Sequence, residues 1–172
     1  EGLDLRIVVI GFEVVAAAIR RPAEVVGDGR HTVGQLIEAQ SRRRAAATSG
    51  ESKIPMDEET ERTVRDAGYD YDSVLPMDER LAVRRTANLH TGGCLEAVTA
   101  ILHTVLSEAA VRAARALDIP VVGLDLMVPA ADQPEYVFIE ANERVGLANH
   151  EPQPTAEKFV DLLFPHSLPA HS

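Results

Sequence analysis

Val121-Val122-Gly123-Leu124-Asp125-Leu126-Met127-Val128, followed by Tyr136-Val137-Phe138-Ile139-Glu140-Ala141-Asn142, is the stretch that decides how this chain is read. Both segments are apolar, β-branched runs of strand length. The intervening Pro129-Ala130-Ala131-Asp132-Gln133-Pro134 carries turn residues, so the pair reads as an antiparallel hairpin. Side chains alternate along a strand, which puts Glu140 and Asn142 on one face; closing the hairpin around Asp132 and Gln133 brings Asp125 opposite Glu140. Three oxygen donors then converge. A hard cation such as Mg²⁺ takes oxygen ligands and fills its remaining positions with water and substrate phosphates. Acidic residues at strand ends facing water would show the same spacing. Weight moves to the metal reading because these polar residues interrupt strongly apolar strands, where an unpaired charge is costly.

Upstream, Leu5-Arg6-Ile7-Val8-Val9-Ile10 and Glu13-Val14-Val15-Ala16-Ala17-Ala18-Ile19 flank Gly11-Phe12 and read as a second hairpin. From Pro22 to about Leu81 the pattern becomes a loop and helix excursion. There Gly27-Asp28-Gly29 signals a turn and Thr32 is placed to cap a helix bearing Val33, Leu36 and Ile37. Residues 41–55 are polar and include Arg42-Arg43-Arg44, a composition that predicts a flexible loop. Asp57-Glu58-Glu59 opens a short helix running to Ala67, closed by Gly68. Leu81 to Arg84 returns to strand character, and Ser107 is expected to cap a helix with Ala110, Ala113, Ala114 and Leu117 on its inner face. Thr155 to Phe164 reads as a closing amphipathic helix before Pro165. The mixed order with hairpins predicts an α+β fold, mainly antiparallel, with helices packed on one face of the sheet.

The chain of 172 residues is long enough for one domain or two small ones and has ordinary globular proportions, 45% hydrophobic and 26% charged. Against 27 acidic residues stand 17 basic ones, a net charge of -10 that argues against nucleic acid and anionic membrane as partners. The single cysteine, Cys94, excludes an internal disulfide framework and a multi-thiolate zinc site, and points to the cytoplasm. No run reaches membrane-spanning length, and Glu1-Gly2-Leu3-Asp4 lacks both an initiator Met and a signal peptide, as expected of a piece of something longer.

Two further constellations suit phosphate. In Arg84-Arg85-Thr86-Ala87-Asn88-Leu89-His90-Thr91-Gly92-Gly93 a guanidinium fork precedes paired glycines, and Gly27-Asp28-Gly29-Arg30-His31-Thr32 leads into a helix N-terminus. Each is equally read as an ordinary turn. The six histidines show no zinc-protease spacing; His90 and His150 lie in motif loops, either lining a substrate site or solvated. Cys94 lacks a positioned base and reads as a small, packed residue.

Taken in order, Asp4-Leu5-Arg6, Gly27 to Thr32, Arg84 to Gly93, Gly123-Leu124-Asp125, Ile139-Glu140-Ala141-Asn142, Gly146-Leu147 and His150 make a chain that resembles the ATP-grasp ligases. Within them it is similar to the branch of cyanophycin synthetase, the bifunctional glutathione synthetases and N-acetylglutaminylglutamine synthetase, from about Asp4 to Pro165. The resemblance implies an ATP-dependent ligase that forms an amide through an acyl-phosphate. It implies Mg²⁺, or Mn²⁺ in its place, on Asp125, Glu140 and Asn142, bridging the phosphates of ATP. Arg84 and Asn88 would face those phosphates and the acyl-phosphate, and Asp4 would lie at the nucleotide site. Implied partners are ATP, an amino-acid or peptide carboxylate, an amine, and an upstream lobe of the same polypeptide, since the chain looks like the C-terminal part of such a ligase; a homo-oligomer is compatible with it. Two departures stand out. Lys53 and Lys158, the only lysines, do not sit where the family's phosphate-binding lysines belong, and Val145 replaces the proline usual after the Asn. A non-catalytic binding or assembly module of the same fold is the competing reading. Residues 166–172 read as a tail.

Overall fold

A computed structural model describes residues 2–146 and 153–165. The chain divides into two compact units, one formed by Glu1–Ile19 with Leu95–Ser172, the other by Arg20–Cys94.

The first unit is organised by a five-stranded sheet in the order β5-β2-β1-β6-β7, with β1 Leu3–Ile10, β2 Glu13–Arg21, β5 Cys94–Ala97, β6 Val121–Val128 and β7 Val137–Asn142. Gly11 and Phe12 both take positive φ, 62° and 65°, the two-residue turn whose twist suits a hairpin between β1 and β2. β6 pairs antiparallel with β1 on one side and with β7 on the other. Alternation then sorts the residues. Leu5, Ile7 and Val9 with Val122, Leu124, Leu126 and Val128 face one way and bury themselves against Leu106, Ala110 and Ala114 of helix α3, Thr104–Leu117. On the opposite face Val8 and Ile10 pack with Val15, Ala16 and Phe159 of the helix Thr155–Leu163. Helices therefore lie on both faces of the sheet, not on one as the element order suggested: Phe159 seals the end of the face that α3 leaves bare. The helix labelled α3 starts earlier than Ser107 because His103 is its cap, Nδ1 accepting from the Val105 N–H at 3.2 Å. Leu117, expected inside, is exposed.

The second unit holds α1 Val33–Ala47, α2 Glu58–Asp66 and a two-stranded sheet of β3 Glu24–Val26 with β4 Arg80–Ala82. It has its own core of Val25, Val33, Ile37, Ile54, Val64, Leu75, Leu81 and Val83. Thr32 caps α1, as the sequence predicts, and Gln35 completes a capping box with it. The flexible loop expected over 41–55 is absent. α1 continues to Ala47, Ser41 Oγ both donates to the Ile54 carbonyl and accepts from its N–H at 3.0 Å, and Ser52 Oγ donates to the Leu89 carbonyl at 2.5 Å. Those bonds satisfy the polar groups and let Ile54 reach the core, 3% exposed. The expected insertion, about 22–81, is longer than predicted, because β4 pairs with β3 here and the chain rejoins the larger sheet only at β5.

Candidate functional site

The face of the first unit's sheet that carries Asp4 and Arg6 is where polar groups collect. Register sets this: Arg6 lies opposite Asp125, Asp125 opposite Glu140, and Gly123 opposite Asn142. Directly opposed residues of an antiparallel ladder share a face, so Arg6, Asp125, Glu140 and Asn142 line up across three strands, with Asp4 two residues along β1. The hairpin register read from the sequence is the register found. Between Asp125 and Leu126 it slips, Leu126 pairing with Phe138 and leaving Ile139 as the extra residue of a bulge. Such bulges re-aim side chains beside functional sites.

Asp125 is 2% exposed, and both its oxygens accept from Arg6, Nε to Oδ1 and the terminal nitrogen to Oδ2, each at 2.7 Å. A carboxylate so deep in an apolar strand is tolerable because a bidentate guanidinium faces it. A Cβ built at Gly123 would make only ordinary contacts, 3.7 Å from Arg6 Nε and 3.4 Å from Val145 Cγ2, so the guanidinium lies beside this position without requiring glycine there. Val145 packs against the Val8 and Ile10 cluster. Glu140 is exposed and makes no hydrogen bond or ion pair among the described residues. Asn142 Oδ1 accepts from the Arg144 N–H at 2.9 Å, which orients its amide. Among the described residues no three His, Cys, Asp or Glu side chains form a metal-binding group. The donor set is two carboxylates and one amide oxygen, which matches a hard cation that completes its shell with water and phosphate and not one that needs a full protein cage.

Arg84 and Asn88 belong to the second unit. Arg84, expected to face phosphates, is 6% exposed and committed to acids: it donates to Asp57 Oδ1 at 2.5 Å and Thr60 Oγ1 at 3.0 Å and pairs with Glu59 Oε2 at 2.7 Å. The guanidinium holds the Asp57 carboxyl below the usual carboxylate range, helped by the Thr60 N–H. In this arrangement Arg84 ties α2 to the strand side of its unit. Among the described residues Arg84 Nε, Glu59 Oε1 and the Tyr71 hydroxyl are buried without hydrogen-bond partners, and burial pushes the Tyr71 hydroxyl up. Asn88 is exposed, its Oδ1 accepting from the His90 N–H at 2.9 Å to cap a 3-10 turn, Leu89–Thr91.

The Gly27 to Thr32 loop also fills its own anion position. Asp28 accepts from the Arg30 and His31 N–H groups at 3.0 and 2.8 Å and contacts His31 Nδ1 at 2.5 Å, and those bonds, the His31 N–H first, hold its carboxyl well below the usual range. Gly27 serves packing, since a Cβ there would meet the Pro76 carbonyl oxygen at 2.0 Å. Leu147, His150 and residues 166–172 lie outside the described residues. The residue that the sequence reading passed over is Arg6. Its signal was a lone guanidinium inside Leu-Arg-Ile-Val-Val-Ile, in step with Asp4.

No family model matches the chain. Its sequence is similar to cyanophycin synthetase of Synechocystis sp., 31% identical over 99% of this chain and 21% of that protein. It is also similar to the glutathione biosynthesis bifunctional protein of Mannheimia succiniciproducens, 32% identical over 82% of this chain and 20% of that one. The solved bifunctional glutathione synthetase of Pasteurella multocida matches with a TM-score of 0.80 at 28% identity, over 95% of this chain and 24% of that one. The chain spans about a fifth of the length of the curated relatives it matches.

Proposed function

We propose, for a chain that belongs by sequence and fold to the ATP-grasp carboxylate–amine ligases, that it is their C-terminal part and supplies the metal- and phosphate-binding half of an ATP site. In such a reaction a carboxylate oxygen attacks the γ-phosphorus of ATP, ADP leaves, and an amine then displaces phosphate from the acyl-phosphate to form an amide. Mg²⁺, or Mn²⁺, when held by Asp125, Glu140 and Asn142, supplies neutralisation of phosphate charge and in-line alignment. The observation that carries the proposal is the alignment of those three oxygen donors on one sheet face by the β6–β7 register. Asp4, on the same face of β1, is assigned to the nucleotide. Asn88 is assigned to the phosphates and acyl-phosphate; Arg84 shares that assignment only if Asp57 and Glu59 release it. N-acetylglutaminylglutamine is the product we favour, on the sequence resemblance alone.

The upstream lobe of the same polypeptide is the proposed partner. Support comes from β7, an edge strand whose Val137, Phe138 and Ile139 are 62%, 45% and 56% exposed. Edge strands that stay open are normally blunted with charge, and this one carries a solid apolar run that a covering segment would bury.

An assembly module without catalysis is the second reading, favoured by the commitment of Asp125 to Arg6 and of Arg84 to its acids. Glu140→Gln separates the two. The amide keeps size and hydrogen bonding at an exposed position, so stability should change little, while ADP release by the intact ligase polypeptide, with candidate amino-acid acceptors, should fall by orders of magnitude. Turnover near wild type at saturating Mg²⁺ and ATP removes the catalytic reading.

A further inference from the structure

The geometry points to Arg6 as the resident counter-ion of the metal site: its guanidinium occupies the Asp125 oxygens that a divalent cation needs, and a polyphosphate anion is the ligand that draws it away. This rests on the metal reading of Asp125 and Glu140 given above.

Three observations combine. The fork is complete, both Asp125 oxygens being taken at 2.7 Å, so the lone pairs best placed to chelate an ion are in use. Asp125 sits on β6, between β1 and β7, and is almost fully buried, which leaves little room for a cation to add beside the guanidinium without losing water it holds strongly. With Asp4 on the same face, the group of Arg6, Asp125 and Glu140 is net negative and attracts a cation overall. A divalent cation entering alone is nevertheless set against Arg6 across a single buried carboxylate. Adding the cation together with a polyphosphate removes the conflict, because the guanidinium then has an anion of its own to bind. Metal and polyphosphate should each raise the affinity of the other by the same factor.

Arg6 is thus a positioning residue: it holds both Asp125 oxygens in the unliganded chain and makes metal entry conditional on the anion. Two alternative roles give different outcomes. A purely structural ion pair would alter stability and leave the dependence of metal binding on polyphosphate untouched. A guanidinium that assists the metal by orienting Asp125 would make its removal weaken metal binding.

The test uses Mn²⁺ as probe and inorganic triphosphate as anion, with water-proton relaxation to distinguish protein-bound from triphosphate-bound Mn²⁺. Wild type, Arg6→Gln, Arg6→Lys and Asp125→Asn are compared, each checked for folding by circular dichroism. Wild type should bind Mn²⁺ weakly alone and about tenfold more tightly with triphosphate, the factor carried by one charge-assisted hydrogen bond. Arg6→Gln should bind Mn²⁺ alone about tenfold more tightly than wild type and gain little from triphosphate. Arg6→Lys, which keeps the charge and loses the fork, should fall between them and carries the test should Arg6→Gln not fold. Mn²⁺ affinity of the Arg6 variants at or below wild type, or an undiminished triphosphate gain, overturns the role of Arg6. Wild type that binds no Mn²⁺ even with triphosphate, or Asp125→Asn that binds it as well as wild type, overturns the metal reading itself, whatever the Arg6 variants do.

Discussion

Arg84→Met takes away a guanidinium that touches Asp57, Glu59 and Thr60 at once and replaces it with a side chain of similar reach and no charge. Breaking a buried ion pair by deleting one partner costs about 3–5 kcal/mol when the abandoned charge stays dry. Here the side chains of Asp57 and Glu59 are 48% and 29% exposed, so water rescues part of that and the expected loss is about 2–3 kcal/mol. Thr60 should suffer least, since its hydroxyl still donates to the Pro55 carbonyl at 2.7 Å. The loss should concentrate in α2. Amide exchange at Thr63 and Val64 should speed up by roughly the factor equivalent to 2–3 kcal/mol, while amides of β1 and β6, in the other unit, keep their protection. A double-mutant cycle with Asp57→Asn, which preserves the cap on the Thr60 N–H, should give a coupling of about 1 kcal/mol or more. A loss below about 0.5 kcal/mol, or one spread evenly over both units, would refute the view that Arg84 anchors α2.

Gly92 and Gly68 have similar φ, 91° and 87°, but a Cβ at Gly92 would stand 2.4 Å from Ile54 Cγ1 whereas nothing lies within 4 Å at Gly68. Both Gly→Ala variants should therefore lose the roughly 1–2 kcal/mol of left-handed strain, and Gly92→Ala should lose about 1–3 kcal/mol more in urea denaturation; equal losses would show that Ile54 gives way freely. Acid should weaken the second unit in a directed way. Asp57 and Asp28 are held below the usual carboxylate range, so the unfolded chain takes up their protons first; their contribution is complete above about pH 4 and is lost as pH falls through the lower folded-state values. Melting temperature followed from pH 5 to pH 3 should drop less steeply for Asp57→Asn than for wild type, and identical slopes would contradict the Asp57 part.

Strand periodicity, turn chemistry and capping residues were enough to read the β6–β7 hairpin with Asp125 opposite Glu140, the β1–β2 hairpin at Gly11-Phe12, the Thr32 cap on α1 and the Asp57 start of α2. These are local matters: alternation every two residues, φ > 0 at a two-residue turn, an oxygen side chain two or three residues before a free N–H. Other features depend on residues far apart in the chain meeting, and composition misleads there. Residues 41–55 look too polar to pack, yet Ser41, Ser52 and Ile54 find partners that only the folded second unit supplies. Arg84 looks free for phosphate, yet α2 brings it two carboxylates from a segment 27 and 25 residues upstream. Arg6 and Asp125 are 119 residues apart in the chain, and no pattern within either strand says that they will share a ladder. Sequence alone determined which residues present oxygen donors on one strand face, because the chemistry of those donors and their strand parity are local. Tertiary structure alone decided which of them are already held by a guanidinium, because charge pairing across a sheet is set by strand order, and strand order is decided by which apolar faces bury one another.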